Sequence, residues 1–90
     1  QARADVEQAS RLPIKLYLQA GAFAVQANAL RLHDRLQSII GPISRVEKTS
    51  SAGYTLYRVR LGPLVDVAQA DRLSERIVAM GLESPQVVLE

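Results

Sequence analysis

Two arginines stand at alternate positions of one short segment, Arg58 and Arg60. Alternate side chains of a β-strand share a face, so we expect both guanidinium groups on the side opposite Tyr57, Val59 and Leu61. A guanidinium binds carboxylates in two-pronged geometry and also donates to neutral oxygens. Beside amide donors and aliphatic surface, such groups suit carboxylates and the hydroxyl and N-acetyl groups of carbohydrates.

Other strands are predicted to bring polar and apolar side chains to the same face. The predicted donors are Gln19, Arg58 and Arg60, and the predicted apolar contacts are Tyr17, Leu56 and Val88. Arg45, Glu47 and Gln86 would face the same way. A sheet face open to solvent also carries such residues for solubility alone, so pattern by itself leaves binding and solvation equally open.

Several kinds of chemistry are excluded by the composition. The 90 residues contain no cysteine and one histidine, His33, which we expect on the solvated surface. Disulfides, thiolate or histidine-cluster metal sites and a two-histidine catalytic pair are therefore ruled out. The glycines are isolated rather than grouped in a phosphate-binding loop. Glycoside hydrolysis needs two carboxylates, and only Glu47 is assigned to the predicted face. We expect no catalytic residue, no cofactor and no metal.

Proline and glycine mark the ends of the strands and helices that would hold these side chains. We expect strands at 14–21, 43–49, 54–61 and 86–89, and helices at about 25–40 and 66–80. Asp66 is the predicted N-cap of the second helix, with Gln69 as its capping-box partner. Gly62 and Pro63 are expected to end the third strand. Residues 1–13 are predicted to be a linker ending at Pro13, and residues 14–90 one domain.

An internal repeat supports this order of elements. With an offset of 41 residues, Gly21 falls on Gly62, and the apolar positions of the two helices coincide. Two split β-α-β units predict an α+β fold of the ferredoxin-like type, β-α-β-β-α-β, with an antiparallel sheet of strand order 4-1-3-2. Both helices would cover one face and leave the other open. The core is predicted to include Ile39, Val87 and Leu89.

The segments LYLQAGAF at 16–23 and YRVRLGP at 57–63 resemble the SPOR domain, the sporulation-related peptidoglycan-binding repeat. The resemblance extends over residues 16–89. It implies binding of septal glycan strands that have lost their stem peptides, by a monomer in the periplasm, with no nucleic acid partner and no membrane insertion. In one type of SPOR protein, an outer-membrane lipoprotein, lytic transglycosylase activity belongs to a separate domain. The resemblance therefore implies binding without catalysis, in what we expect to be a piece of a longer parent protein.

The resemblance also implies a set of contact residues. Gln19 matches the glutamine of the family's first strand, and Arg58 matches its third-strand arginine. Ala22 stands where the family often has a small polar residue, and Leu56 where it often has an aromatic one. Val88 corresponds to an apolar residue of the last strand. The departures at Ala22 and Leu56 affect individual contacts and the strength of binding.

Two alternatives share the predicted fold. RNA-binding RRM domains have the same element order and stack bases on strand-borne aromatics. We assign Tyr57 inward and expect no outward aromatic on the third strand, which disfavours RNA. A small regulatory or dimerisation domain would place its ligand at helices or sheet edges.

Overall fold

The computed structural model describes residues 14–90, so the predicted linker at 1–13 lies outside the described residues. The order of elements is β1 (Leu16–Phe23), α1 (Gln26–Ile39), β2 (Ser44–Ser51), β3 (Tyr54–Leu64), α2 (Val67–Ala79) and β4 (Gln86–Leu89). The predicted β-α-β-β-α-β order is confirmed.

One antiparallel sheet contains all four strands in the order β2-β3-β1-β4. This is the predicted order and the ferredoxin-like arrangement. β2 and β3 are joined by a tight turn at Ala52 and Gly53, both with positive φ. In this order β3 and β1 occupy the centre of the sheet.

The core lies between that face and the helices. Its fully buried side chains come from β1, β3 and both helices: Leu16, Leu18, Leu36, Val59, Leu61 and Ile77. Each helix turns its predicted apolar stripe toward the sheet, because apolar residues at intervals of three and four share one side of a helix. Among the described residues, no helix is long and apolar enough to cross a membrane.

Three predicted core residues are half-exposed. Ile39, in the last turn of α1, is 47% exposed. Val87 and Leu89 are 52% and 41% exposed, because β4 is a four-residue edge strand beyond the sheet strands that contact the helices. His33 was expected on the solvated surface but is half-buried, and its Nδ1 lies 2.8 Å from Ser44 Oγ.

Asp66 caps α2 as predicted. Its carboxylate accepts a hydrogen bond from the backbone N–H of Gln69 at 2.8 Å. The Gln69 side chain reaches back one residue further than a capping box requires, and its Oε1 accepts from the N–H of Val65. Both bonds satisfy backbone N–H groups at or just before the start of α2, where the helix itself offers no acceptor.

Two interruptions of register decide which side chains share a face. Between Gln19 and Gly21, β1 contains one extra residue relative to β3, which forms a β-bulge. Gln19 and Ala22 therefore point the same way despite their odd spacing. In β3 the extra residue lies at Gly62 and Pro63, so the predicted end of the strand at Leu61 is wrong. The strand continues through a cis Gly62–Pro63 bond to Leu64.

We expect Gly62→Ala to destabilise the fold more than Gly41→Ala. Both glycines have φ above +100°, at +139° and +120°, so alanine costs about 1 to 3 kcal/mol of backbone strain at either position. A Cβ at Gly62 would also lie 2.8 Å from Tyr17 Cδ1 and 3.0 Å from the Leu16 carbonyl oxygen, whereas Gly41 has open space. In urea unfolding, Gly62→Ala should lower the free energy of unfolding by about 1 to 3 kcal/mol more than Gly41→Ala does. Equal losses would contradict the proposed contact.

Candidate ligand-binding face of the sheet

The sheet face opposite the helices, called the open face below, is composed of alternate residues of all four strands. β1 contributes Tyr17, Gln19 and Ala22; β2 contributes Arg45, Glu47 and Thr49; β3 contributes Tyr54, Leu56, Arg58 and Arg60; β4 contributes Gln86 and Val88, followed by Glu90. A shallow concavity of about 490 Å³ lies over its centre. It is lined by Gln19, Glu47, Thr49, Arg58, Arg60, Gln86, Val88 and Glu90.

Arg60 is the buried charge of this face, with a side chain only 5% exposed. Its Nη1 donates to Glu47 Oε1 at 2.8 Å and to Glu90 Oε1 at 2.9 Å, and its Nη2 donates to Glu90 Oε2 at 2.6 Å. The two-pronged pair with Glu90, assisted by Glu47, raises the pKa of Arg60 above its ordinary value despite burial. Arg60 was predicted as a donor to a ligand; it lies on the predicted face, but its guanidinium is already bound to two carboxylates.

Tyr17 is covered by two arginines. The guanidinium carbons of Arg60 and Arg45 lie 5.0 and 5.2 Å from the centre of its ring, and Arg45 Nη2 donates to its hydroxyl at 3.1 Å. Each cation–π contact stabilises the arrangement by about 0.5 to 2 kcal/mol. Tyr17 is on the predicted face but only 5% exposed, so a ligand would meet Arg45 before it reached the ring.

Arg58 and Gln19 form the accessible polar pair of the open face. Arg58 Nη1 donates to Gln19 Oε1 at 3.3 Å, and its Nε donates to Thr49 Oγ1 at 3.2 Å. Both partners are neutral, so Arg58 keeps a positive charge that these contacts do not neutralise. Because the Gln19 carbonyl oxygen accepts from Arg58, the Gln19 amide nitrogen remains oriented to donate elsewhere.

The remaining predicted contacts surround this pair. Ala22 is exposed and lies opposite Arg58 across the β1–β3 ladder. Leu56 and Val88 are half-buried and supply aliphatic surface on either side. The structure thus brings all seven predicted residues to one face, with Tyr17 and Arg60 in an inner layer and the other five nearer to solvent.

Three residues of the open face were missed by the sequence analysis: Thr49, which accepts a hydrogen bond from Arg58 Nε, and also Tyr54 and Glu90. Tyr54 opens β3 and shares the alternation of Leu56 and Arg58, so the expectation of no outward aromatic on this strand is wrong. Its side chain is 61% exposed near the turn. Glu90 continues the alternation of Gln86 and Val88 beyond β4, which was a usable signal in the sequence.

Glu90 adds a second carboxylate to a face where only Glu47 was expected. Its hydrogen bonds to Arg60 hold the pKa of the Glu90 carboxyl below its ordinary value. A general acid for glycoside hydrolysis needs a raised pKa instead, so Glu90 is unsuited to that role. Within residues 14–90, no cluster of three or more histidine, cysteine or acidic side chains is arranged to hold a metal. Tyr57 packs against the core as predicted.

Comparison with known proteins identifies relatives of this chain. The model of the SPOR domain family matches residues 13–88. The crystal structure of the RlpA SPOR domain from Pseudomonas aeruginosa is similar, with a TM-score of 0.76, 32% identity, and coverage of 81% of this chain and 96% of that one. The sequence motifs at 17–23 and 85–88 predict the same type of SPOR domain, that of rare lipoprotein A.

A second similar structure is the solution structure of the peptidoglycan-binding domain of the Bacillus subtilis cell wall lytic enzyme CwlC. Its TM-score is 0.61 at 31% identity, and the match covers 84% of this chain and 90% of that one. No curated protein sequence gives a significant match to this chain.

The Arg60–Glu90 pair should make stability depend on pH. Because the pKa of Glu90 is lowered in the folded protein, its contribution is complete above the ordinary carboxyl pKa of about 4.3 and is lost as pH falls through the lowered value. We expect Glu90→Gln to be less stable than the parent in urea at pH 7, with the difference shrinking by pH 3. Glu75→Gln, an exposed change on α2, is the control. A Glu90→Gln difference that stays constant with pH would contradict this origin.

Proposed function

Because the chain belongs to the SPOR family, we propose that its open face binds peptidoglycan glycan strands that lack stem peptides. The domain is a binding module without catalysis of its own. By this binding it would bring a longer parent protein to the division septum, where such strands arise.

Peptidoglycan as the ligand is supported by two similarities. The family model covers nearly all of the described chain, and the CwlC domain at 31% identity is a peptidoglycan-binding domain. A ligand of the cell wall places the domain in the periplasm or outside the cell. The septum as its position is our further proposal, consistent with the similarity to the RlpA SPOR domain.

The observation that carries the preference for stripped strands is the charge of Arg58. Its hydrogen bonds are to the neutral groups of Gln19 and Thr49, so neither carboxylate of the central concavity, Glu47 or Glu90, is hydrogen-bonded to it. In a glycan without stem peptides, the lactyl group of each N-acetylmuramic acid ends in a free carboxylate, whereas in an intact strand that group is an uncharged amide. A guanidinium with spare charge binds the carboxylate more strongly, so Arg58 would favour the stripped form.

The neighbours of Arg58 suit the rest of a sugar chain. The Gln19 amide nitrogen can donate to a hydroxyl or an N-acetyl carbonyl oxygen, and Leu56 and Val88 offer aliphatic contact to the methyl of an acetyl group. Tyr54, exposed nearer the turn, would allow one more sugar ring to stack along β3. Single exposed contacts contribute about 1 kcal/mol or less, so useful affinity requires several sugars to be held together.

We expect Arg58→Glu to reduce sedimentation with amidase-treated sacculi about tenfold or more, because attraction to the lactyl carboxylate becomes repulsion. Arg72→Glu makes the same charge change on the exposed surface of α2 and should bind as the parent does. The parent should bind amidase-treated sacculi in preference to intact sacculi.

The same sedimentation series distinguishes the alternatives. Undiminished binding by Arg58→Glu, or equal binding to both kinds of sacculi, would contradict the role of the carboxylate. Retention of single-stranded RNA in preference to sacculi would support the RRM-like alternative, and retention of neither would support a regulatory or dimerisation domain.

Ala22→Ser should strengthen binding by about two- to fivefold, a gain of roughly 0.5 to 1 kcal/mol from one hydrogen bond. Ala22 is exposed and opposite Arg58, so a hydroxyl there would point to the ligand beside the guanidinium. Ala24→Ser, also exposed but outside the sheet, is the control. Unchanged binding by Ala22→Ser would place the glycan away from this end of β1, and weaker binding would contradict the expected hydrogen bond.

A further inference from the structure

A second groove lies on the helix side of the sheet, along the last residues of β1. The pairing of β1 with β4 ends at Gln19–Gln86, whereas β1 itself continues to Phe23. Pro85 precedes β4 and has no N–H to extend the ladder. Among residues 14–90, residues 20–23 thus pair with β3 on one side, and no described strand pairs with them on the other.

The groove beside this edge is larger than the concavity of the open face. Its volume is about 890 Å³, and its lining includes all of residues 20–23. Phe23 and Leu32 form an apolar floor between the strand and α1, and Leu82 closes the far side. Four extended residues span about 13 Å, so the edge has the length to pair with a short peptide strand.

The rim of the groove is predominantly basic. Arg31 and Arg35 extend from successive turns of α1, against a single carboxylate, Glu83. Arg31 is oriented by a hydrogen bond to Asn28 Oδ1, and Arg35 Nη2 donates to the Met80 carbonyl oxygen at 2.8 Å. These partners are neutral, so they position the guanidinium groups without cancelling their charges.

We propose that this groove binds an extended acidic segment of a partner protein, which adds a short strand to the free edge of β1. Main-chain hydrogen bonds to residues 20–23 provide the affinity, apolar side chains of the segment enter over Phe23 and Leu32, and its carboxylates pair with Arg31 and Arg35. A sugar chain could not reproduce the evenly spaced backbone donors and acceptors of a strand. The site is therefore distinct from the open face and would connect a wall-bound domain to a protein partner.

The test uses a blocked five-residue peptide of alternating valine and glutamate, with a valine–lysine peptide as its counterpart. Titration into the ¹⁵N-labelled domain should shift the amide signals of residues 20–23, with a dissociation constant in the range of about 0.1 to 1 mM for so short a strand. Arg31→Glu should raise that constant at least tenfold and Arg31→Gln less, whereas Arg72→Glu should leave it unchanged.

Sedimentation of the same variants separates this proposal from the glycan-binding one. Arg31→Glu should bind amidase-treated sacculi as the parent does, whether or not the open-face variants lose that binding. The proposal is overturned if the acidic peptide does not bind at millimolar concentration, if the lysine peptide binds equally well, or if the shifts fall on Gln19, Arg58 and Val88 rather than on residues 20, 21 and 23. Loss of sacculus binding in a folded Arg31→Glu variant would assign the groove to glycan instead and would also overturn it.

Discussion

The open face depends on one ion cluster formed around the buried guanidinium of Arg60. Arg60 joins Glu47, Glu90 and Tyr17, so a single guanidinium ties together β2, β3, β1 and the residue after β4. The side of the sheet without helices is thus held by ionic and cation–π contacts, while the other side is held by an apolar core. This rigid inner layer supports Arg58 and Gln19 above it.

Backbone irregularity is the second requirement of the site. Without the extra residue between Gln19 and Gly21, Ala22 would turn toward the helices and the polar pair would lose its neighbour. The corresponding interruption at Gly62 brings the backbone close to the Tyr17 ring, where a side chain would collide. Gly21 and Gly62, which the internal repeat matches, therefore each accommodate an interruption of register, one in each half of the fold.

The order of elements and most of the core were predictable because they follow from periodicity, which is a local property. The face shared by Gln19, Arg58 and Val88 was predictable for the same reason. The burial of Arg60 was not, since it depends on Glu90, which meets it only after β4 pairs with β1. The exposure of Val87 depends on how far the helices extend over the sheet, which periodicity does not define. Tyr54 was missed although its alternation with Leu56 was visible in the sequence.

Nuclear magnetic resonance offers the most direct test of where the ligand lies. A soluble glycan fragment carrying free lactyl carboxylates, released by amidase and glycosidase treatment, would be titrated into the ¹⁵N-labelled domain. The account predicts that the largest shifts occur at Gln19, Ala22 and Arg58, including the Gln19 side-chain amide, with little change in α1 and α2. Shifts concentrated on the helices, with Gln19 and Arg58 unaffected, would contradict it.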